Sequence, residues 1–283
     1  MDLNDLNRMA ENLAPTDTMP VLFVGHGSPM NAIEDNPFSQ AWRELGKTLP
    51  RPRAILCISA HWETRGTQVT VNSKPPTIHD FGGFPHALFE TQYPAPGSQW
   101  LADETKNAIK QTDVLFSDDW GLDHGCWSIL KPMFPDADVP VIQLSLDYTK
   151  PGQYHYELAK ELASLRQKGV LIIGSGNLVH NLRRIVIRSG DISDFNQPYG
   201  LDWALEANEL FKKLIVDNDH KSLSNYKALG SAVQLAVPTP EHYLPVLYAL
   251  AVKGVNEPLS FFNDVATGGS LTMTSLKIGT LGV

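Results

Sequence analysis

Apolar residues along this chain gather in short dense runs, set apart by longer stretches in which they recur at helical spacing. The runs PVLFVG (20–25), AILCISA (54–60), 139–146 and 170–174 are too short for helices and rich in β-branched residues. Each therefore predicts a buried strand, and 259–262 and 270–278 predict two closing strands. Spaced apolar positions predict helices over 38–49, 99–111, 153–167, 202–216 and 244–252, with a short amphipathic stretch at 128–134. Pro50 and Pro52 close the first of these helices. Two segments resist both patterns. The Pro- and Gly-rich stretch 75–97, with PPTIHDFGGFP and YPAPGS, predicts a long ordered loop, and DDWGLDHGCW (118–127) predicts a second.

Strands alternating with helices predict an α/β fold: a single domain whose central, largely parallel or mixed sheet is flanked by helices. In such a fold the active site lies at the C-terminal ends of the strands. No repeat or Gly/Ser linker divides the chain, so residues 1–19 are expected to be an N-terminal arm and 20–283 one catalytic domain.

Composition removes several function classes. The 283 residues are 42% hydrophobic and 19% charged, as in ordinary globular proteins, and carry a formal net charge of -8 without a Lys/Arg run. A nucleic-acid partner would call for a basic stripe. No run approaches the roughly 18 apolar residues of a membrane span, and the polar start MDLNDLNRMAENL lacks a signal-peptide core. Two cysteines, Cys57 and Cys126, make no disulfide framework. A cytoplasmic protein is expected, monomeric by default.

The chemistry lies in the histidines. His26, His61 and His180 each follow the C-terminal end of an expected strand, so three imidazoles are expected to meet at one sheet edge. Imidazole suits zinc or iron(II). A single loop histidine is more often a surface residue; three at one edge are harder to set aside. His124, or His242 with the neighbouring carboxylate Glu241, can complete a metal site. His79 and His86 flank Asp80-Phe81-Gly82-Gly83 and can line a pocket, whereas His155 and His220 read as ordinary surface residues. Other signals are weak. GSGN (174–177) lacks the third glycine of a dinucleotide fingerprint, no P-loop, G-x-S-x-G or HExxH occurs, and nothing in the sequence activates Cys126 as a nucleophile.

Taken together, GHGSPM (25–30), SAHW (59–62), PPTIHDFGGFP (75–85), YPAPG (93–97), DHGCW (123–127), SGNLVHNL (175–182) and PTPEHYLP (238–245) form an ordered set. With them the chain resembles the bacterial branch of the DOPA extradiol dioxygenase family, within the LigB-type (class III) aromatic ring-opening dioxygenases. The likeness runs from about Pro20 to the C-terminus and is specific for the family, not for a substrate. It implies a mononuclear non-haem Fe(II), or Zn(II) in preparations that have picked up the wrong metal, with a small aromatic diol and O2 as reactants. It implies His26, His61 and His242 as metal ligands, His180 as a fourth ligand or an acid/base, and His124 as an acid/base. LigB-type relatives use a carboxylate as the third ligand; His242 is a departure. A zinc-dependent hydrolase-like enzyme, or a binding protein that has lost turnover, stands as an alternative. Arg183 and Arg184 can pair with a substrate carboxylate.

Overall fold

The structure, a computed structural model, describes residues 18–280. The arm expected over 1–19 lies outside the described residues except for Thr18 and Met19. Met19 is buried and donates its N–H to the Arg166 carbonyl.

Six strands form the central sheet: β1 (Val21–Gly25), β2 (Ala54–Ser59), β3 (Val141–Gln143), β4 (Val170–Gly176), β5 (Leu259–Phe262) and β6 (Ser275–Ile278). Their order is β3-β2-β4-β1-β6-β5. The first four are mutually parallel; β6 runs antiparallel to β1, and β5 antiparallel to β6. This is the mixed α/β fold that the alternating pattern predicts. Every residue of β1, β2 and β4 is buried, because helices cover both faces of a parallel sheet.

The two-residue period of a strand divides these residues between two cores. Val21, Phe23, Leu56, Ile58 and Ile172 pack with α3 (Gly152–Lys160), α4 (Asp202–Val216) and α5 (Leu244–Ala251). Leu22, Val24, Ile55, Cys57 and Ile173 pack with α1 (Pro37–Thr48) and α2 (His124–Met133). Helix α1 starts where its residues require: Asn36 accepts the N–H groups of Phe38 and Ser39, Ser39 answers in a capping box, and Pro37 occupies the first turn.

Several boundaries differ from expectation. The strand expected over 139–146 breaks into Val141–Gln143 and Leu146–Asp147, and 270–278 breaks into Leu271–Thr272 and Ser275–Ile278. The helix expected over 153–167 ends at Lys160 and gives way to a 3-10 turn closed by Gly169 at a φ of 79°. Strands Thr67–Thr70 and Val114–Ser117, paired in parallel, are additional: the first is mostly polar and the second holds a run of only three apolar residues. The stretch expected as amphipathic at 128–134 belongs to α2, which begins four residues earlier and is buried on nearly every side between the sheet and α1.

One buried cation ties together the segment before β1 and the segment after α5. The Arg166 guanidinium donates to the carbonyls of Met19 and Val252, each at 2.7 Å, and pairs with Glu257. Among the described residues no helix is long and apolar enough to cross a membrane.

Candidate metal centre

Parallel register brings the ends of β1, β2 and β4 to one edge, with Gly25 opposite Gly176 and Ser59 opposite Ser175. His26 and His61 leave that edge directly, and His180 follows β4 by four residues. His242 reaches it from the turn before α5, which lies against the end of β4. The Asn177 N–H donates to the His242 carbonyl at 2.8 Å. This approach depends on glycine. A Cβ at Gly176 would stand 2.1 Å from the His242 carbonyl oxygen, and one at Gly174 would stand 2.3 Å from that of Pro245. The G-S-G run is therefore a packing device that seats the His242 turn, not a dinucleotide loop.

His124 arrives differently. It lies in the first turn of α2 rather than in a loop, because Asp123 caps that helix by accepting the Cys126 N–H at 3.1 Å. Gly125 lets the helix end press onto the site; a Cβ there would meet Ser59 Oγ at 2.5 Å and the His61 ring at 2.8 Å.

Five imidazoles thus share one cluster. The ring centres of His26, His61 and His242 form a nearly regular triangle, with separations of 5.0, 5.0 and 5.3 Å. The Nε2 atoms of His26 and His61 face each other at 3.2 Å. A metal bound to imidazole at about 2.1 Å lies about 3.25 Å from the ring centre, so ligand rings roughly 90–110° apart have centres about 4.6–5.3 Å apart. The spacing of the three ring centres matches that of ligand rings around one first-row ion. The other two rings flank the triangle. His124 lies over His61 at 3.9 Å and 45°, and His180 stacks on His242 at 3.5 Å and 6°. The donor atoms of His26, His61 and His124 lie within 4.8 Å of one another, and so, separately, do those of His180, Glu241 and His242.

Hydrogen bonds around the cluster fix which nitrogen of His26 and of His242 carries the proton. Ser175 Oγ donates to the Gly125 carbonyl at 2.5 Å, so toward His26 Nδ1, 3.0 Å away, it acts as acceptor. Nδ1 of His26 then holds the hydrogen and Nε2 is left as a lone-pair donor. Glu241 stands 3.1 Å from His242 Nδ1 and also accepts from Thr239 Oγ1 at 2.8 Å. Asp80 Oδ2 lies 2.9 Å from His124 Nδ1 and 3.5 Å from His61 Nδ1. Beneath them, Ser59 Oγ donates to the buried Asp123 carboxylate at 2.6 Å and accepts the His61 backbone N–H at 3.2 Å. Gln143 donates to the same carboxylate at 2.7 Å. Asp80, Ser175 and Asp123 are supports that sequence reasoning did not single out, although each stands beside or inside a histidine motif.

Burial dominates the electrostatics. It pushes the proton affinities of His26 and His242 well below the ordinary imidazole value, and the neighbouring rings add to the effect. His61 falls to about 3 through burial and the nearness of His124, against an opposing pull from Asp80. His180 falls to about 4, again mainly through burial. Burial opposes the charge on Asp80, but its hydrogen bonds and proximity to His124 outweigh it and hold the carboxyl below its usual range. Burial raises Asp123. Neutral imidazoles are the form a metal needs, and here no proton must be displaced near neutral pH.

The remaining candidates separate cleanly. Phe81 sets its ring against His124 at 5.5 Å and 83°, and joins Phe84, Phe89 and Trp127 in an aromatic wall beside the cluster. His79 belongs to that wall and contacts the Thr91 carbonyl at 2.9 Å, while His86 points to solvent beside Glu90. Arg183 and Arg184 are exposed on a 3-10 turn. Of the two histidines expected at the surface, His155 lies in the core and His220 is only partly exposed. His155 is fully buried with Nδ1 2.9 Å from the Tyr248 hydroxyl, and half-buried His220 bonds the Tyr156 hydroxyl at 2.7 Å. Their polar sequence neighbours hid a face turned toward the core. Cys126 is buried, and burial drives its thiol well above the ordinary value, which leaves it no nucleophilic role.

The profile of the catalytic LigB subunit of aromatic ring-opening dioxygenase matches residues 20–254. The chain is 48% identical over 265 residues to a 4,5-DOPA dioxygenase extradiol of Escherichia coli K12, covering 92% of this chain and 95% of that one. It is 36% identical over 262 residues to the 4,5-DOPA dioxygenase extradiol of Beta vulgaris, covering 90% and 94%. A crystal structure of an uncharacterised Escherichia coli K12 protein superposes with a TM-score of 0.79 at 41% identity, over 92% of this chain and all of that one.

Proposed function

The chain belongs to the LigB family of aromatic ring-opening dioxygenases, and on that premise we propose that it cleaves a DOPA-like catechol in the extradiol manner. The reaction adds both atoms of O2 to a catechol, breaks a ring carbon–carbon bond beside the diol, and gives a muconic semialdehyde-type product. The observation that carries this reading is the His26–His61–His242 triangle with an additional imidazole on each flank.

His26, His61 and His242 would hold the metal. Bound there, iron(II) would supply a redox-active Lewis acid able to chelate a catechol and activate O2. The lone pair of an imidazole nitrogen lies in its ring plane, so two rings stacked in parallel cannot both aim at one ion. The stacking of His180 on His242 therefore supports proton handling by His180 rather than ligation. His124 keeps its Nδ1 side toward Asp80 and offers Nε2 to substrate, where it takes a catechol proton and later returns it. Such general acid–base help is typically worth about 10²–10⁴-fold. The ring edges of Phe81 and its neighbours form an apolar wall suited to an aromatic substrate.

The test is oxygen uptake by protein reconstituted anaerobically with Fe(II) and given L-DOPA and a small catechol panel, with a Zn(II)-loaded control. Uptake with iron alone and a yellow ring-opened product is the expected result. Turnover that runs with Zn(II) and without O2 would instead establish a hydrolytic enzyme. His124→Ala should keep its metal and lose turnover, whereas His26→Ala and His61→Ala should lose the metal; full iron occupancy in the latter two would overturn the ligand assignment.

A further inference from the structure

We infer that Asp80 is the positioning residue of this site: its carboxylate fixes the tautomer of His124 and joins that ring to the ligand ring of His61. The inference rests on the proposed roles of those two histidines but is tested separately from them.

The argument starts from what a carboxylate can do. Ionised, it accepts hydrogen bonds and donates none. Asp80 Oδ1 accepts the His124 backbone N–H at 2.9 Å, and Oδ2 stands 2.9 Å from the Nδ1 of the same residue. Oδ2 also lies 3.5 Å from His61 Nδ1. A charged oxygen 2.9 Å from the His124 Nδ1 places the hydrogen on that nitrogen and turns a bare Nε2 inward as a proton acceptor. At 3.5 Å the contact to His61 is electrostatic rather than a hydrogen bond, so the same carboxylate, only 18% exposed, sets the tautomer of His124 and draws the His61 ring alongside it.

The loop that carries Asp80 is braced for this task. Ile78 N–H donates to the Leu122 carbonyl at 2.7 Å, Leu122 N–H donates to Pro76 at 2.8 Å, and Trp127 Nε1 donates to the Ile78 carbonyl at 2.8 Å. These bonds bind residues 76–80 to the start of α2, the helix that delivers His124. The next residue, Phe81, then lays its ring against His124. Tautomer, ring orientation and the apolar wall are thus all set by the same turn.

Asp80→Asn separates positioning from bulk structure, because it preserves volume. If the amide oxygen keeps the His124 backbone N–H, the NH2 group faces His124 Nδ1 and meets a donor with a donor. The ring must then move its hydrogen to Nε2, which turns the proposed acceptor into a donor. Asp80→Ala serves as a second variant that imposes no tautomer, and Asp80→Glu restores the charge. The readouts are ring-nitrogen NMR of metal-free, ¹⁵N-histidine-labelled protein, metal content, and steady-state kinetics of the iron-loaded enzyme. Asp80→Asn should move His124 from the Nδ1–H to the Nε2–H signature, keep the native melting temperature, and lower kcat about 10–100-fold with KM little changed. Asp80→Glu should recover part of the loss. Retention of the Nδ1–H form in both Asp80→Asn and Asp80→Ala would overturn the inference, as would a fall in kcat that merely follows lost stability. Should the wild-type enzyme turn over no catechol, the functional reading fails, while the tautomer measurement still decides the role of Asp80.

Discussion

Replacing Gly176 by Ala should empty or distort the metal site without touching any histidine. The added methyl would stand 2.1 Å from the His242 carbonyl oxygen, and carbon–oxygen contacts need at least about 3.0 Å, so the turn carrying His242 must retreat by about 0.9 Å or more. The retreat also stretches the 2.8 Å bond between the Asn177 N–H and the His242 carbonyl. Overpacking of this kind costs about 1–3 kcal/mol, a drop of roughly 2–12 °C in Tm for a chain of this size. Function should suffer more, since a displacement near 1 Å can cost about 10²-fold in turnover. Gly46→Ala is the control. Its methyl would stand 2.0 Å from the Met133 carbonyl, between α1 and the far end of α2, so it should lower Tm and leave the site intact. Metal content, Tm and kcat would be measured on both variants. Native metal content and kcat in Gly176→Ala would refute the claim that this glycine seats His242; equal losses in both variants would reduce the effect to general destabilisation.

Two further outcomes follow from buried groups outside the site. His155 has its proton affinity lowered to about 4 by burial, so the unfolded chain, near 6.5, binds a proton more readily than the native one. Its contribution to stability is full above about pH 6.5 and is lost as pH falls toward 4, amounting to up to about 3 kcal/mol. Urea unfolding of His155→Asn should show a correspondingly shallower loss of stability between pH 7 and 4; an unchanged slope would remove His155 from the acid response. Cys57 and Cys126 are both buried, and burial raises the Cys126 thiol well above its ordinary value. A thiol-reactive chromogen should therefore find no thiol in native protein and both in denaturant, and rapid native labelling would contradict this packing.

The strands that become the sheet interior were legible before any fold was known, because residues buried on both faces must be apolar whatever their partners. So was the shared edge of His26, His61 and His180, since each follows such a strand in an alternating α/β chain. The G-S-G run, Asp80 and Asp123 were visible as residues but not as parts of the site. Their roles depend on which backbone lies within about 3 Å of them: the His242 turn against Gly176, α2 against Asp80, and Ser59 against Asp123. Likewise, the local pattern around His155 is polar, and only the packing of α3 against α5 turns that ring inward. Periodicity reports which face of an element is dry. Close approach between elements distant in sequence is decided by tertiary packing, and that approach selects the stacking of His180 on His242 and the triangle of His26, His61 and His242.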